Sequence, residues 1–311
     1  MSGTAVSVSP AQPIAIGARV RTAWTTRSRQ ERLVYQLLLP VFGTIFVLTL
    51  IPFILAVIQA VTSDSRGFVG LDNFALALGN PLLYESIKQT ALYAVIALPI
   101  EILGGLGIAL LVHRTVRSNA IRAAIYIAAI IPIVIPQIAV GVVFRLVYAP
   151  DYGILNVLLG QTGPGQPLWL SSPPLAMIAT ASVDIWQWTP FVYLVMFAGL
   201  QTVPSESVEA AQVDGAGSWT QFWHIELPYL RPLLLLVLFF RIADVVRVFD
   251  AVYVLTGGGP GTTTQFLSLY IYRIGFKFSD LGQAAALAVV VMVAMTLFYQ
   301  VISRFLPADR T

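Results

Sequence analysis

Glu101, Asp184, Arg241, Asp244, Arg247 and Asp250 are ionisable residues inside stretches otherwise built to avoid water. A charge at membrane depth is costly, so such residues face a bundle interior or a wet path and are functional candidates by default. The last four recur at every third position with alternating sign, a spacing at which side chains on one helix pair. They form either self-neutralising ion pairs between helices or a polar strip along a translocation path. A second group, Asp184, Trp186, Gln187, Trp188 and Tyr193, combines a carboxylate and an amide with aromatic rings. A sugar needs both, hydrogen-bond partners for its hydroxyls and rings for its C–H faces. The tryptophans fit interfacial anchoring as well. The near balance of acids and bases argues for a neutral solute, since a path for phosphate or sulfate would show excess cations.

Other chemistries lack their parts. There is no cysteine, which removes disulfides, thiolate metal sites and thiol nucleophiles. His113 and His224 are far apart and lack the spacing of a metal hydrolase; His113 is expected at headgroup level and His224 in solvent. A phosphate-binding loop needs GxxxxGK[ST], and neither lysine, Lys88 or Lys277, follows a glycine in that pattern. No cofactor, nucleotide or metal is expected on this chain, and any ATP and Mg must be bound by a partner. The net charge of +3 comes from basic residues scattered over short loops, so nucleic acid is not an expected partner.

The elements that position these residues follow from hydropathy. The 311 residues are 57% hydrophobic and 11% charged, with a mean hydropathy of +0.81. A soluble domain carries about 25% charged residues, whereas uncharged runs of roughly 20 residues span a bilayer. The expected fold is all-α and integral to the membrane, surrounded by lipid. Six spans are expected, over 34–61, 88–112, 123–148, 175–200, 233–255 and 282–303. Pro40, Pro52, Pro99, Pro132, Pro136 and Pro190 should kink or interrupt them. Such breaks either line a cavity or reflect the ordinary frequency of proline in membrane helices.

Residues 1–32 read as a basic, mostly disordered tail, 33–305 as the transmembrane domain, and 306–311 as a short C-terminal tail. The apolar segment Phe266 to Phe278 is expected to form an external loop or re-entrant piece. Basic residues set the orientation. With both termini inside, the inner segments hold Arg19, Arg21, Arg27, Arg29, Arg32, Arg114, Arg117, Arg122, Arg231, Arg304 and Arg310, against Arg66, Lys88, Arg273 and Lys277 outside. Segment 200–232 is then a cytoplasmic loop.

That loop reads as two short helices. Ser205 can cap the first, with Glu206 in its first turn, and Gly215 suits the left-handed position after its end. Ser218 can cap the second, with Gln221 three residues on as in a capping box. Trp219, Phe222, Trp223 and Ile225 give it an apolar face before Leu227-Pro228 closes it. Such a face either docks on another protein or packs on the ends of the chain's own helices.

The loop resembles the signature of ATP-binding-cassette importer permeases: EAA, three residues, G, nine residues, I-x-LP. Here these are Glu209-Ala210-Ala211, Gly215, then Ile225-Glu226-Leu227-Pro228. Phe68 to Phe74, Ala198-Gly199-Leu200-Gln201, and Phe249-Asp250 followed by Tyr253 to Pro260 resemble the sugar and polyol subfamily, with its maltose, trehalose and glycerol-phosphate types. The resemblance implies a type I importer permease in a bacterial inner membrane. It implies a second homologous permease, two ATPase subunits and an external solute-binding protein as partners. Glu209, Ala210, Ala211, Asp214 and Gly215 would dock on the ATPase, and the apolar face adds Trp219, Phe222 and Trp223. Asp184, Trp186, Gln187, Trp188, Tyr193, Arg241, Asp244, Arg247 and Asp250 would serve the substrate path. Trehalose or maltose is the first expected cargo, with polyol, glycerol or glycerol phosphate next. An ion-coupled carrier is the rival of a different class, but it has no use for the helix pair.

Overall fold

A computed structural model describes residues 16–63 and 67–304, without the side chains of 16–33 and Ser303. The chain divides into two units, 1–56 and 57–311. The first holds most of α1 (Ile16–Ala60). Its apolar part, Val34–Ala60, is 27 residues long with no residue of its most apolar window buried. A helix that is apolar all round faces lipid or protein rather than water. The backbone is helical from Ile16, so α1 begins within the segment expected to be a tail. Residues 1–15 and 306–311, the remainder of the two expected tails, lie outside the described residues.

The second unit opens with a small hairpin of β1 (Thr62–Ser63) and β2 (Gly67–Phe68). Helix α2 (Asp72–Leu78) follows, and Asn73 on it donates to the carbonyls of Ala60 and Thr62 at 3.0 and 2.9 Å. α3 (Pro81–Thr115) is started by Asn80, whose side chain accepts from the Leu82 amide at 3.0 Å, with Pro81 in the first turn. Arg114 lies in its last turn, where a cation meets the negative end of the helix dipole. α3 starts earlier than the expected second span, so Lys88 lies on the helix, beside Glu85 at 3.4 Å.

α3 packs along α7 (Pro173–Leu200). Gly105 makes this possible: a Cβ there would stand 2.5 Å from the Cβ of Val192. Small residues let membrane helices approach closely and gain dispersion contacts. At one end of this pair, Leu106, Ala109, Val192, Met196, Phe197 and Leu200 form a core closed by Leu230 and Val237. Towards the other end, Tyr93, Met177, Ala181, Val245 and Phe266 form a second.

The expected third span is two helices. α4 (Asn119–Val134) and α5 (Gln137–Val147) meet at 94°. Pro136 causes the break by pushing the residue before it into an extended conformation, and Ile135 has φ −68° and ψ 127°. Gln187 donates to the Ile135 carbonyl at 3.0 Å and so satisfies a group the break leaves open. After α5 come α6 (Ile154–Leu158) and α7.

The expected fifth span is also divided. α10 (Leu227–Val246) ends before α11 (Asp250–Leu255) begins. The segment expected as a loop or re-entrant piece is ordered and packed: α12 (Leu267–Tyr272) continues as a π-helical turn, Arg273–Lys277, against α3 and α13 (Leu281–Ser303). Arg273 donates to Gln265 and to the Gly257 carbonyl, fixing the glycine-rich loop beside it.

Among the described residues, the apolar parts of α1, α3 and α13 are long enough to cross a membrane, and the count is four if the bent α4–α5 pair is one span. The structure does not confirm the expected count of six on apolarity. α7 and α10 have the length, 28 and 20 residues, but they carry the polar residues of the candidate path.

Candidate functional site

Two regions gather the predicted residues. The first is the loop after α7. α8 (Ser205–Val213) has no buried residue. It ends with Gly215 at φ +80°, a left-handed conformation that glycine adopts without steric cost. The Gly215 amide donates to Gln212 O at 3.1 Å and the Ala216 amide to Ala211 O at 2.8 Å, the paired bonds that close a helix terminus. Glu209, Ala210 and Asp214 are exposed and Ala211 is half-buried, so the EAA segment is presented on a free helix.

The caps differ from expectation. Pro204 and Gly217 precede α8 and α9 (Ser218–Gln221), and neither Ser205 nor Ser218 makes a capping bond. Gln221 turns back to donate to the Ala216 carbonyl at 2.7 Å. The second helix does not close at Leu227-Pro228 either. It passes through a π-helical turn, Phe222–Glu226, straight into α10. Pro228 comes just after that π-helical turn, where the i→i−4 ladder is already interrupted.

Trp219 is 72% exposed and Trp223 48%, whereas Phe222 is 8% exposed and belongs to the core at the ends of α7 and α10. Phe222 is thus an anchor rather than a contact on the free face. Its ring lies 6.0 Å from Trp219 and 5.4 Å from Trp223 and props both outward. The apolar face divides between the two readings the sequence left open: Phe222 packs inward, and the tryptophans stay bare. His224 is solvent-exposed and its ring bonds the Thr220 carbonyl at 3.0 Å. Sequence reasoning missed Arg114, which donates to Glu226 at 2.7 Å and to the Ser218 carbonyl at 3.2 Å. The visible signal was an acid at the variable position of I-x-LP.

The second region is a buried ion cluster joining α3, α7 and α10. Arg241, 2% exposed, donates to both carboxylate oxygens of Glu101 at 2.8 and 3.0 Å, to Asp184 at 2.7 Å and to Asp244 at 2.7 Å. The indole of Trp188 covers its guanidinium at 4.8 Å, a cation–π contact. A buried charge is tolerated only when paired and hydrogen-bonded in this way. The ion-pair reading therefore describes Arg241, and Glu101 is the partner that the spacing along one helix could not reveal. Asp244 is the accessible end: its side chain is 33% exposed, and Arg247, 75% exposed, stands 3.7 Å away. The alternating ladder stops there, because α10 ends at Val246 and Asp250 begins α11.

The other candidates scatter. Trp186 is exposed and lies 5.2 Å from the ring of Phe144. Gln187 is buried at the α4–α5 break. Tyr193 is 2% exposed and packs 5.7 Å from Phe197. A cavity of about 570 Å³ lies between α5, α11 and the segment leading into α7, lined by Arg145, Tyr148, Tyr152, Ser171 and Thr256 among others, with no predicted path residue in its wall.

With this geometry, the similarities to known proteins can be placed. The family described as binding-protein-dependent transport system inner membrane component matches residues 101–309, from the Glu101 of the ion cluster through the docking loop. The trehalose/maltose transport system permease protein MalF of Thermococcus litoralis is 32% identical over 285 residues, covering 89% of this chain and 95% of that one. The sulfoquinovosyl glycerol permease SmoG of Agrobacterium fabrum is 36% identical over 223 residues, covering 72% of this chain and 71% of that protein. A bacterial ABC transporter that imports the acidic polysaccharide alginate superposes with a TM-score of 0.79 at 25% identity, covering 92% of this chain and 100% of that one. The exposed EAA helix with its glycine turn, the apolar spans and these matches agree: the chain belongs to the binding-protein-dependent transport system inner membrane component family, the permeases of ABC importers.

Proposed function

We propose that this chain is the permease subunit of an ATP-driven sugar importer and forms half of its translocation pathway. The observation that carries the proposal is the unburied EAA helix, closed at Gly215 and followed by two bare tryptophans. A surface of this kind needs a partner. On a chain without a nucleotide-binding motif, that partner is the ATPase. Two ATPase subunits bind ATP and Mg, a second homologous permease completes the path, and an external receptor delivers the solute. Closure of the ATPase dimer moves the docked loops and shifts the spans between inward and outward states.

α7 and α10 complete a count of six, because 28 and 20 residues reach roughly 42 and 30 Å. Their polar groups face one another instead of lipid. Both termini and the docking loop lie in the cytoplasm, as the arginine asymmetry requires. The relatives named for trehalose, maltose and sulfoquinovosyl glycerol support a carbohydrate cargo, with a disaccharide such as trehalose or maltose first. A neutral solute fits the cluster, since Arg241 is fully engaged and the exposed Arg247 is paired with Asp244 at 3.7 Å.

The natural absence of cysteine makes the test clean. Trp219→Cys in membrane vesicles of known sidedness should react with an impermeant maleimide only from the cytoplasmic face, and the bound ATPase should protect it. Labelling from outside, or no protection, overturns the docking assignment. Uptake of labelled trehalose or maltose by the complete importer, dependent on ATP and receptor, tests the cargo.

A further inference from the structure

Arg114 lies in the last turn of α3, and Glu226 closes the π-helical turn beneath the tryptophans. Neither is a fixed position of the signature the loop resembles. One guanidinium nitrogen reaches Glu226 at 2.7 Å and the Ser218 carbonyl at 3.2 Å, so the two ends of the α9–π segment are tied to one point on α3. The Glu226 side chain is 6% exposed and that of Arg114 34%. A charge-assisted bond in a partly desolvated place is stronger than one on the surface, and without it Glu226 would be a buried carboxylate lacking a partner.

From Arg114 back to Glu101, α3 contains no proline, its one internal proline being Pro99. This is about 20 Å of unbroken helix. At its far end Glu101 holds Arg241 of α10, which also holds Asp184 of α7. Between these points Gly105 presses α3 onto α7. Displacement of the docking loop therefore has two routes into the membrane. One is the continuous helix into α10. The other is the Arg114–Glu226 bond into α3, and with it α7. If the loop drove α10 alone, α10 would shear against the α3–α7 pair and load the Arg241 cluster. Driven through both routes, the three helices move together.

We propose that Arg114 and Glu226 form a strut that carries movement of the docking loop to α3. They are positioning residues, acting through each other and the Ser218 carbonyl. This rests on the proposed importer function. The experiment uses the complete importer in proteoliposomes, with receptor, MgATP, and labelled trehalose and maltose as probes, and reads uptake and ATP hydrolysis in the same preparation. Arg114→Gln and Glu226→Gln should each retain the ATPase and hydrolyse ATP, while uptake per ATP falls about tenfold. Arg114→Lys should retain more of the ratio, and combining Arg114→Glu with Glu226→Arg should restore it. An unchanged ratio in both single variants overturns the strut. So does loss of the ATPase from both, which would make the pair a fold support, or a swap that restores nothing. A wild-type complex with neither uptake nor receptor-stimulated hydrolysis overturns the importer reading and the strut together, whereas a coupled wild type with coupled variants overturns the strut alone.

Discussion

Arg241 and Trp219 are both large side chains of the kind that dominates recognition, yet the fold treats them in opposite ways. Arg241 is 2% exposed and its bonds end on three carboxylates of this same chain. Trp219 is 72% exposed, near a helix with no buried residue at all. The ion cluster is complete within this chain and binds three helices into one body. The loop leaves Trp219 and Trp223 uncovered, the surface that the proposed importer would present to its ATPase. In a machine driven by a separate subunit, the part that must stay rigid satisfies its own polar groups, and the part that must be gripped leaves apolar area uncovered. The Arg114–Glu226 pair lies between these extremes, 34% and 6% exposed.

Substitutions can break or sharpen this contrast. The largest effect is expected at Arg241. Arg241→Ala strands Glu101 and Asp184 as buried, unpaired acids and should cost about 3–5 kcal/mol, read as loss of folded protein in detergent by thermal unfolding. Asp184→Asn leaves Arg241 its pair with Glu101 and should cost less. If Arg241→Ala unfolds at the wild-type temperature, the cluster is not the clamp described here. Phe222→Ala and Trp219→Ala sharpen the comparison next, since the residues are neighbours with opposite burial. Phe222→Ala should destabilise the chain by about 3 kcal/mol, as a core aromatic does. Trp219→Ala should leave unfolding unchanged and weaken ATPase copurification by about 2 kcal/mol, as an interface anchor does. Equal effects on both measurements would erase the distinction.

Gly215→Val follows. A β-branched residue at φ +80° costs about 1–2 kcal/mol locally. Because α8 buries nothing, the expected readout is a lost ATPase complex with the melting of the spans unaltered. The smallest effect belongs to Asp244→Asn, at the accessible edge of the cluster. Its 3.7 Å contact with exposed Arg247 contributes about 0–1 kcal/mol, so assembly should persist. Reduced uptake with normal assembly would place this edge on the path, and unchanged uptake would remove it.

Local features of the sequence were readable. The apolar parts of α1, α3 and α13 follow from runs of apolar residues, and the end of α8 follows from a single glycine, because the left-handed turn after a helix is a property of one residue. The exposed helix that carries the EAA signature was readable for the same reason. It buries no residue, and the signature residues lie within twenty positions of one another, Glu209 to Pro228. The caps were misread because a serine at a helix start competes with its neighbours, and here Pro204 and Gly217 take the flanking positions. The break at Pro136 was foreseen as a kink or an interruption but not its 94° angle, because a proline inside a greasy run permits either; the break after Val246 was missed because no proline or glycine marks it.

What the amino-acid order determined by itself is therefore whatever is settled within a turn or two of helix: membrane residence, the glycine-closed EAA helix, and the absence of a nucleotide-binding motif. Tertiary structure alone decided that Arg241 meets Glu101 across 140 positions and Arg114 meets Glu226 across 112. It also decided that Phe222 turns inward while Trp219 does not. The reason is physical. A helix's period says which residues share a face, but a buried charge is stabilised by whatever partner the packing of other helices brings within 3 Å, and no local pattern encodes that distance.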